Sequence, residues 1–441
     1  MPAHTRPEAV LDLVGVGVGP SNLSLAALAE PVADLSTVFL EAKPAFRWHP
    51  GLLDGAAVIQ TSFLKDLVTP IDPTSRYSFL NFLRETGRLY RFLVADFPHV
   101  SRLEYEQYYR WVARQLQSLR FKATVDALDL DQDLFAVQAG GQTTHARNIV
   151  LGTGPAPRIP ACARGVLGPD VFHASCYDQI APELAGRRVA VVGGGQSGAE
   201  MFLRLLQPGR CRPCEVAWIS SRPNFLPLDD TPFTNELFFP NYVTHFRGLS
   251  SADRRRTLEE QRLASDGIGE GTLSQIYQRL YALDFLEEPW LRHRLLPGHR
   301  MVALARRADG LELVAEGTDR SLVRICADLV LLCTGYAYER PECLAPIADR
   351  IRWSDGAYRV SGDFSIEWDG PRERRIYVQN AARHSHGIAD PNLSLAAWRS
   401  AVIVNSVCRR PVYDTGDCSA AIQWSPEVTT AAQIPTQEFA K

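Results

Sequence analysis

LDLVGVGVGPSNLSLAALAE, residues 11–30, runs an aliphatic strand into three glycines and then into a helical pattern. RRVAVVGGGQSGAEMFLRLL, residues 187–206, repeats the arrangement about 180 residues later. Strand, glycine turn and helix in that order open a parallel, helix-covered sheet. A lone G-x-G-x-x-G is weak evidence of a nucleotide site. Two, each with its strand before and helix after, predict two dinucleotide-binding folds and two bound nucleotides. The fold class expected is α/β: two Rossmann-like domains with a small helical substrate-binding region.

Two further stretches follow the pattern more weakly. ARNIVLGTGPAPRIP (146–160) and ADLVLLCTGY (327–336) each read as a strand–turn–helix opening. PAPRIP, residues 155–160, marks a joint. A hydrophilic helical stretch over 250–283 sits inside the second unit as an insertion. Beyond Gly335 come strand-like pieces, AYRVSGDF and RRIYVQN, and a last helix, LSLAAWRSAVIVNSV. The tail from Asp414 is polar and unpatterned.

Composition narrows the class. The 47 Lys+Arg and 50 Asp+Glu leave a net charge of −3, so neither nucleic acid nor an anionic membrane is an expected partner. With 46% hydrophobic and 22% charged residues, the 441-residue chain is globular, not disordered. The 17 uncharged residues Leu13–Ala29 hold three Gly, a Pro and an Asn and make a poor membrane span. MPAHTRPEAV lacks the apolar core of a signal peptide. The nine cysteines therefore read as reduced thiols of a cytoplasmic protein. Cys211 and Cys214 form a C-x-x-C, but no second ligand pair stands at zinc spacing, and a loop pair is the favoured reading over a redox couple. No metal is expected.

In the first turn Gly15, Gly17 and Gly19 let the backbone approach a pyrophosphate, and the next helix offers free N–H groups and its positive dipole end. Pro20 ends the frame and suits a first helical turn, where its missing N–H would have no partner anyway. STVFLE ends in Glu41, placed for the ribose hydroxyls of FAD or NAD; a solvated strand end is the alternative. In the second turn Gly193, Gly195 and Gly198 complete the frame around Gln196 and Ser197. EVAWIS ends in Ser220, Ser221 and Arg222, which suit a 2′-phosphate and hence NADPH; Arg222 as an ordinary surface residue is the alternative. A flavin with NADPH implies hydride transfer to the flavin, with O2 as the expected acceptor. The division expected is an FAD-binding part over 1–165, an NADPH-binding domain over 166–326 with a substrate-binding insertion at about 229–290, and a second FAD-binding part with the C-terminal helix over 327–441.

WHPGLL (48–53), IQTSFLKDLVTPIDPTSRYSFLNFL (59–83), VVGGGQSGAE (191–200), DDTPFTNELFFP (229–240), SDGI (265–268), CTGY (333–336) and HGIADPNLSLAAWRSA (386–401) together resemble the microbial N-hydroxylating flavin monooxygenases, the lysine and ornithine hydroxylases of siderophore biosynthesis. The resemblance spans about residues 10–425, and SDGI and LSLAAWRSA are more similar to the lysine N6-hydroxylases. It implies that NADPH reduces FAD, that O2 adds to give a C4a-hydroperoxyflavin, and that the neutral side-chain amine of the substrate attacks it to become a hydroxylamine. It also implies a homo-oligomer, tetramer or dimer. No catalytic protein residue is expected, because the cofactor carries the chemistry. The site must still neutralise an amine whose free pKa is about 10.4.

The resemblance assigns Lys65 in FLKDLV to the substrate carboxylate, Asn235 in PFTNELF to its amino-acid end and Ser394 in NLSLAAW to a contact near the flavin. Asp266 in SDGI stands where ornithine enzymes carry Asn and would take an ammonium or shape a longer pocket. A Lys facing the substrate calls for a carboxylate there, because burying it without an anion is costly. That puts L-lysine ahead of cadaverine or putrescine, with L-ornithine behind. Pairing of Lys65 with Asp66 is the alternative, though adjacent side chains face apart. The resemblance also sets Trp48, His49 and Gln60 along the isoalloxazine, Thr334 and Gly335 at the cofactor, and His386 and Gly387 before the last helix, whose N-terminus favours charge on the reduced ring. Trp48 and His386 as core side chains are the alternatives. Three other readings compete: a disulfide-reductase-like enzyme, a Baeyer–Villiger-type enzyme, and an FAD-binding scaffold without turnover. The cysteines sit in the wrong segment for the first, FHASCYDQI lacks the signature of the second, and two intact glycine turns argue against the third.

Overall fold

The computed structural model describes residues 10–48, 51, 57–209, 212–354, 356–416 and 418–424. Its first sheet carries the first glycine turn. Strands Leu119–Phe121, Thr37–Glu41, Leu11–Val16 and the end of Gln142–Leu151 lie side by side and parallel. They are aliphatic because both faces are covered. Leu13 and Phe39 enter one core with the helices Pro20–Ala29, Arg102–Ala113 and Ala396–Cys408. Val14, Val16 and Leu40 enter another on the opposite face.

Gln142–Leu151 shares its far edge between two partners. Gln142–Ala146 pairs antiparallel with Leu134–Ala139, and Ile149–Leu151 pairs parallel with Ile376–Val378. The C-terminal quarter thus completes the sheet that the N-terminus began.

The second sheet is parallel throughout, in the order Arg292–Leu296, Glu215–Ile219, Arg188–Val192, Leu329–Leu332, Val171–His173. A division at residue 327 therefore falls too early. Leu329–Leu332 is buried between two strands of this sheet, so the second unit keeps it. An antiparallel sheet of His299–Arg307, Gly310–Gly317 and Leu322–Ala327 packs against one face.

The strands ending near residues 151 and 332 do not run into helices as expected. They lead into Ala156–Pro157 and Tyr336–Ala337, which pair antiparallel where the chain passes between the two units. Gly154 (φ +74°) and Gly335 (φ +75°) turn the backbone there. Pro155, Pro157 and Pro160 bar a helix.

Between Ile219 and Arg292 lie the helices Pro232–Asn235, Pro240–Gly248, Ser251–Glu260, Arg262–Asp266 and Glu270–Phe285. Ser251–Glu260 buries no residue, which accounts for its polarity. Tyr242, Val243 and Phe246 pack with Ile388, Ala389 and Leu395, joining the insertion to the C-terminal part. Among the described residues no helix is long and apolar enough to cross a membrane.

Candidate active site

Both glycine turns end in a helix N-terminus without a side-chain cap, at Gly19 and at Gly195. A Cβ at Gly19 would meet nothing within 4 Å, and one at Gly195 nothing nearer than 3.9 Å. Open space before uncapped N–H groups fits a pyrophosphate at each turn. The glycines around them are closed in instead. A Cβ at Gly17 would lie 2.7 Å from the Gly152 carbonyl oxygen, at Gly193 2.0 Å from that of Cys333, and at Gly198 2.0 Å from that of Gly193. Gly15 faces the Phe39 ring, 2.1 Å from where its Cβ would stand. Pro20 takes the first helical turn.

Glu41 ends its strand buried, with both oxygens engaged. The N–H groups of Val18 (2.8 Å) and Lys43 (2.9 Å) donate to it, so it orders the first turn from below. Trp48 lies edge-on to Tyr109 at 5.3 Å and packs against the first core. Gln60 is exposed. His49 and Cys211 lie outside the described residues.

A clamp that the sequence reading missed holds the first helix. Arg399 is 1% exposed and ion-paired to Asp390 at 3.0 Å. Its other nitrogens donate to Gln379 Oε1 (2.6 Å), Asn380 Oδ1 (2.9 Å) and Ser21 Oγ (3.0 Å). The C-terminal quarter thereby grips the start of the nucleotide helix. Its signal was a single charge in the apolar run LSLAAWRSAVIV.

At the second turn, Ser220 Oγ accepts the Arg222 N–H at 3.1 Å. Burial and the neighbouring Arg262 hold the Arg222 pKa below its usual value. Its Nη1 donates to the Asp266 carbonyl at 2.7 Å. Asp266 therefore sits beside Arg222, with its carboxylate 3.8 Å from Arg383. Gln196 links the turn to the insertion: it accepts the Gly269 N–H (2.8 Å) and donates to Glu200 (2.9 Å) and Thr272 (3.2 Å). Ser197 stands in the same first turn, half-buried.

Thr334 and Gly335 belong to the passage between units. The Thr334 hydroxyl donates to the Arg158 carbonyl, and the Gly335 carbonyl accepts the Arg158 N–H at 2.9 Å. The His173 imidazole also lies 3.1 Å from the Gly335 carbonyl oxygen, and a Cβ at Gly335 would meet nothing within 4 Å. Gly51 also approaches the second unit, where a Cβ would lie 1.9 Å from the Ser175 carbonyl oxygen.

Lys65 is half-buried, its ammonium 5.8 Å above the Phe239 ring, and burial pulls its pKa down. Among the described residues no carboxylate pairs with it. Asp66 is fully used elsewhere, accepting from the Val68, Thr69 and Phe79 N–H groups and the Thr69 hydroxyl at 2.6–2.9 Å. Phe239 brings the 229–240 segment to Lys65. Asn235, four residues earlier, is exposed and donates its amide to the Asp230 carbonyl at 2.8 Å. Ser394 is buried, its hydroxyl and N–H both bonded to Asn392 Oδ1 (2.7 and 2.8 Å).

His386 is enclosed by protein. It is 1% exposed, stacked on Phe364 at 4.3 Å, and burial with Arg247 and Arg399 nearby pushes its pKa down to about 3. Its packing is that of a core side chain. Gly387 follows at φ +85° against Phe246.

With this geometry in view, the sequence pattern of the L-lysine 6-monooxygenase/L-ornithine 5-monooxygenase family matches residues 9–338. The chain belongs to that family. It is thus an N-hydroxylating flavin monooxygenase. It is 41% identical to an L-lysine N6-monooxygenase of Escherichia coli, over 94% of this chain and 98% of that one. The FAD-bound crystal structure of a cadaverine monooxygenase from Erwinia amylovora superimposes with a TM-score of 0.89 at 33% identity, covering 96% of this chain and 100% of that one. An ornithine N-hydroxylase of Kutzneria sp. 744, with reduced FAD, NADP+ and L-ornithine, does so with a TM-score of 0.84 at 31% identity, covering 91% and 99%.

Proposed function

We propose that this monooxygenase uses FAD and NADPH to hydroxylate the terminal side-chain amine of L-lysine for hydroxamate siderophore biosynthesis. The first turn, with Gly17, Gly19 and Pro20, would hold FAD. The second, with Gly195, Gln196, Ser220 and Arg222, would hold NADPH. When bound, NADPH supplies the hydride and the flavin activates oxygen. The protein's own work is to bind, orient and exclude water at the junction of the two units.

The observation that carries the substrate reading is Lys65, a half-buried cation without a carboxylate partner among the described residues. A desolvated ammonium of this kind recruits an anion. The amino-acid carboxylate supplies one, and a diamine does not. The similarity to the lysine enzyme supports this reading, and the likeness to the cadaverine enzyme supports the second one, a diamine substrate. The test is hydroxylamine formation by purified protein with FAD, NADPH and O2, offering L-lysine, L-ornithine, cadaverine and putrescine one at a time. Product chiefly from L-lysine is expected. Product chiefly from a diamine would overturn the role of Lys65 and leave the class of reaction unchanged.

A further inference from the structure

After the last helix the chain doubles back along it. Asn405 accepts the N–H groups of Val412 and Tyr413 at 2.8 and 2.9 Å. The chain then crosses onto the helical insertion as a strap. Asn241 exchanges two hydrogen bonds with Cys418, amide to carbonyl and thiol to amide oxygen, both 3.0 Å. The Glu236 carboxylate takes the Ala421 N–H on one oxygen and the Ile422 N–H on the other, both 2.8 Å. Trp424 lies edge-on to Tyr242 at 4.7 Å.

The position of these anchors matters. Glu236 and Asn241 bracket Phe239, whose ring lies under the Lys65 ammonium. The Cys418 thiol is close enough that a charge on it would raise the Lys65 pKa. Glu236 is 9% exposed, and a carboxylate so enclosed needs donors; the strap supplies two.

We propose that residues 418–424 form the outer wall of the amine site at Lys65, and that Glu236 is the positioning residue that holds this wall in place. The proposal rests on reading Lys65 as the partner of the substrate carboxylate. A wall that keeps water from that ion pair strengthens it. An amino acid gains from the wall, whereas a diamine, placing no anion on Lys65, gains little.

The test compares the full chain with Glu236→Gln, which loses one acceptor, and with Ile422→Pro, which removes one donor from the strap side alone. The expected result is a rise of about ten-fold in KM for the hydroxylated amino acid, with kcat, FAD content and KM for NADPH within two-fold. A second readout is the rate of Cys418 alkylation by iodoacetamide, followed by peptide mass, which saturating substrate is expected to slow several-fold in the parent and less in the variants. An unchanged KM in both variants, with Cys418 alkylation indifferent to substrate, would overturn the wall while leaving the Lys65 reading intact. If the parent hydroxylates none of the four amines, the reading of the site itself fails, and the wall with it.

Discussion

Arg102 in the first unit and Glu200 in the second face each other through two hydrogen bonds, Nη2 to Oε1 at 2.8 Å and Nη1 to Oε2 at 3.2 Å. The side chains are only 14% and 12% exposed, so water screens the pair weakly. Glu200 also accepts from Gln196, the first residue of the second nucleotide helix. The pair therefore sets the second turn against the first unit. Glu200→Ala leaves the Arg102 charge unpaired and removes one of the hydrogen bonds that hold Gln196. The expected outcome is a rise in KM for NADPH of about ten-fold with FAD content unchanged. A double-mutant cycle with Arg102→Ala should give a coupling of about 1–3 kcal/mol in thermal or denaturant unfolding. A coupling near zero would mean that the pair does not hold the units together.

The glycines of the two turns separate fold from binding. A methyl at Gly198 would stand 2.0 Å from the Gly193 carbonyl oxygen, which cannot yield without moving the turn. Gly198→Ala is expected to lower the melting temperature and abolish NADPH binding. A methyl at Gly19 meets only open space, at a backbone φ of −92° that any residue adopts. Gly19→Ala is therefore expected to fold with a melting temperature close to the parent's. It should still purify with much less FAD, because the methyl occupies the ground where a pyrophosphate would approach. Full flavin content in Gly19→Ala would remove that turn from the FAD site.

Lys65→Met keeps the length and apolar body of the side chain and deletes its charge. If the ammonium pairs with a substrate carboxylate, kcat/KM for L-lysine should fall by about 100-fold, the loss of a charged hydrogen bond and its ion pair. Activity with cadaverine should stay within a few-fold, and removing a half-buried cation should leave the fold at least as stable. Equal losses with both amines would show that Lys65 supports the site without reading the carboxylate.

What the sequence disclosed and what it withheld differ in range. The two glycine turns, their strands and the insertion were legible because each signal lies in one contiguous stretch of chain. The return of the chain to the first unit was expected, but the strand that makes it was legible only as a strand-like piece, RRIYVQN. Ile376–Val378 offers three residues, too few for a period, and its pairing with Ile149–Leu151 is a long-range event. Arg102 and Glu200 carry no signal of their pairing, because they lie 98 residues apart and only folding makes them partners. The strap carries no periodicity, since side chains of the insertion hold its backbone. SDGI likewise disclosed nothing of its backbone: the turn it makes presents the Asp266 carbonyl to Arg222.

His386 yields a prediction about acid stability. Its native pKa is pushed down to about 3, from an ordinary value of 6.5, by burial and by the charges of Arg247 and Arg399. Above pH 6.5 the imidazole is neutral in the folded and unfolded chains alike and contributes no pH dependence. Below it the unfolded chain takes a proton that the native site refuses, so stability falls as pH falls, until the native pKa is reached. The slope from this one group is about 1.4 kcal/mol per pH unit. His386→Phe keeps the ring against Phe364, and Ser385, the imidazole's hydrogen-bond partner, still has the Ala382 carbonyl at 3.1 Å. Other titrating groups act in parent and variant alike and cancel in the difference. Denaturant unfolding from pH 6.5 to 4.5 should therefore show the variant losing about 2 kcal/mol less than the parent over that window. Parallel curves would mean that the native site admits the proton, and that His386 is less enclosed than its packing on Phe364 indicates.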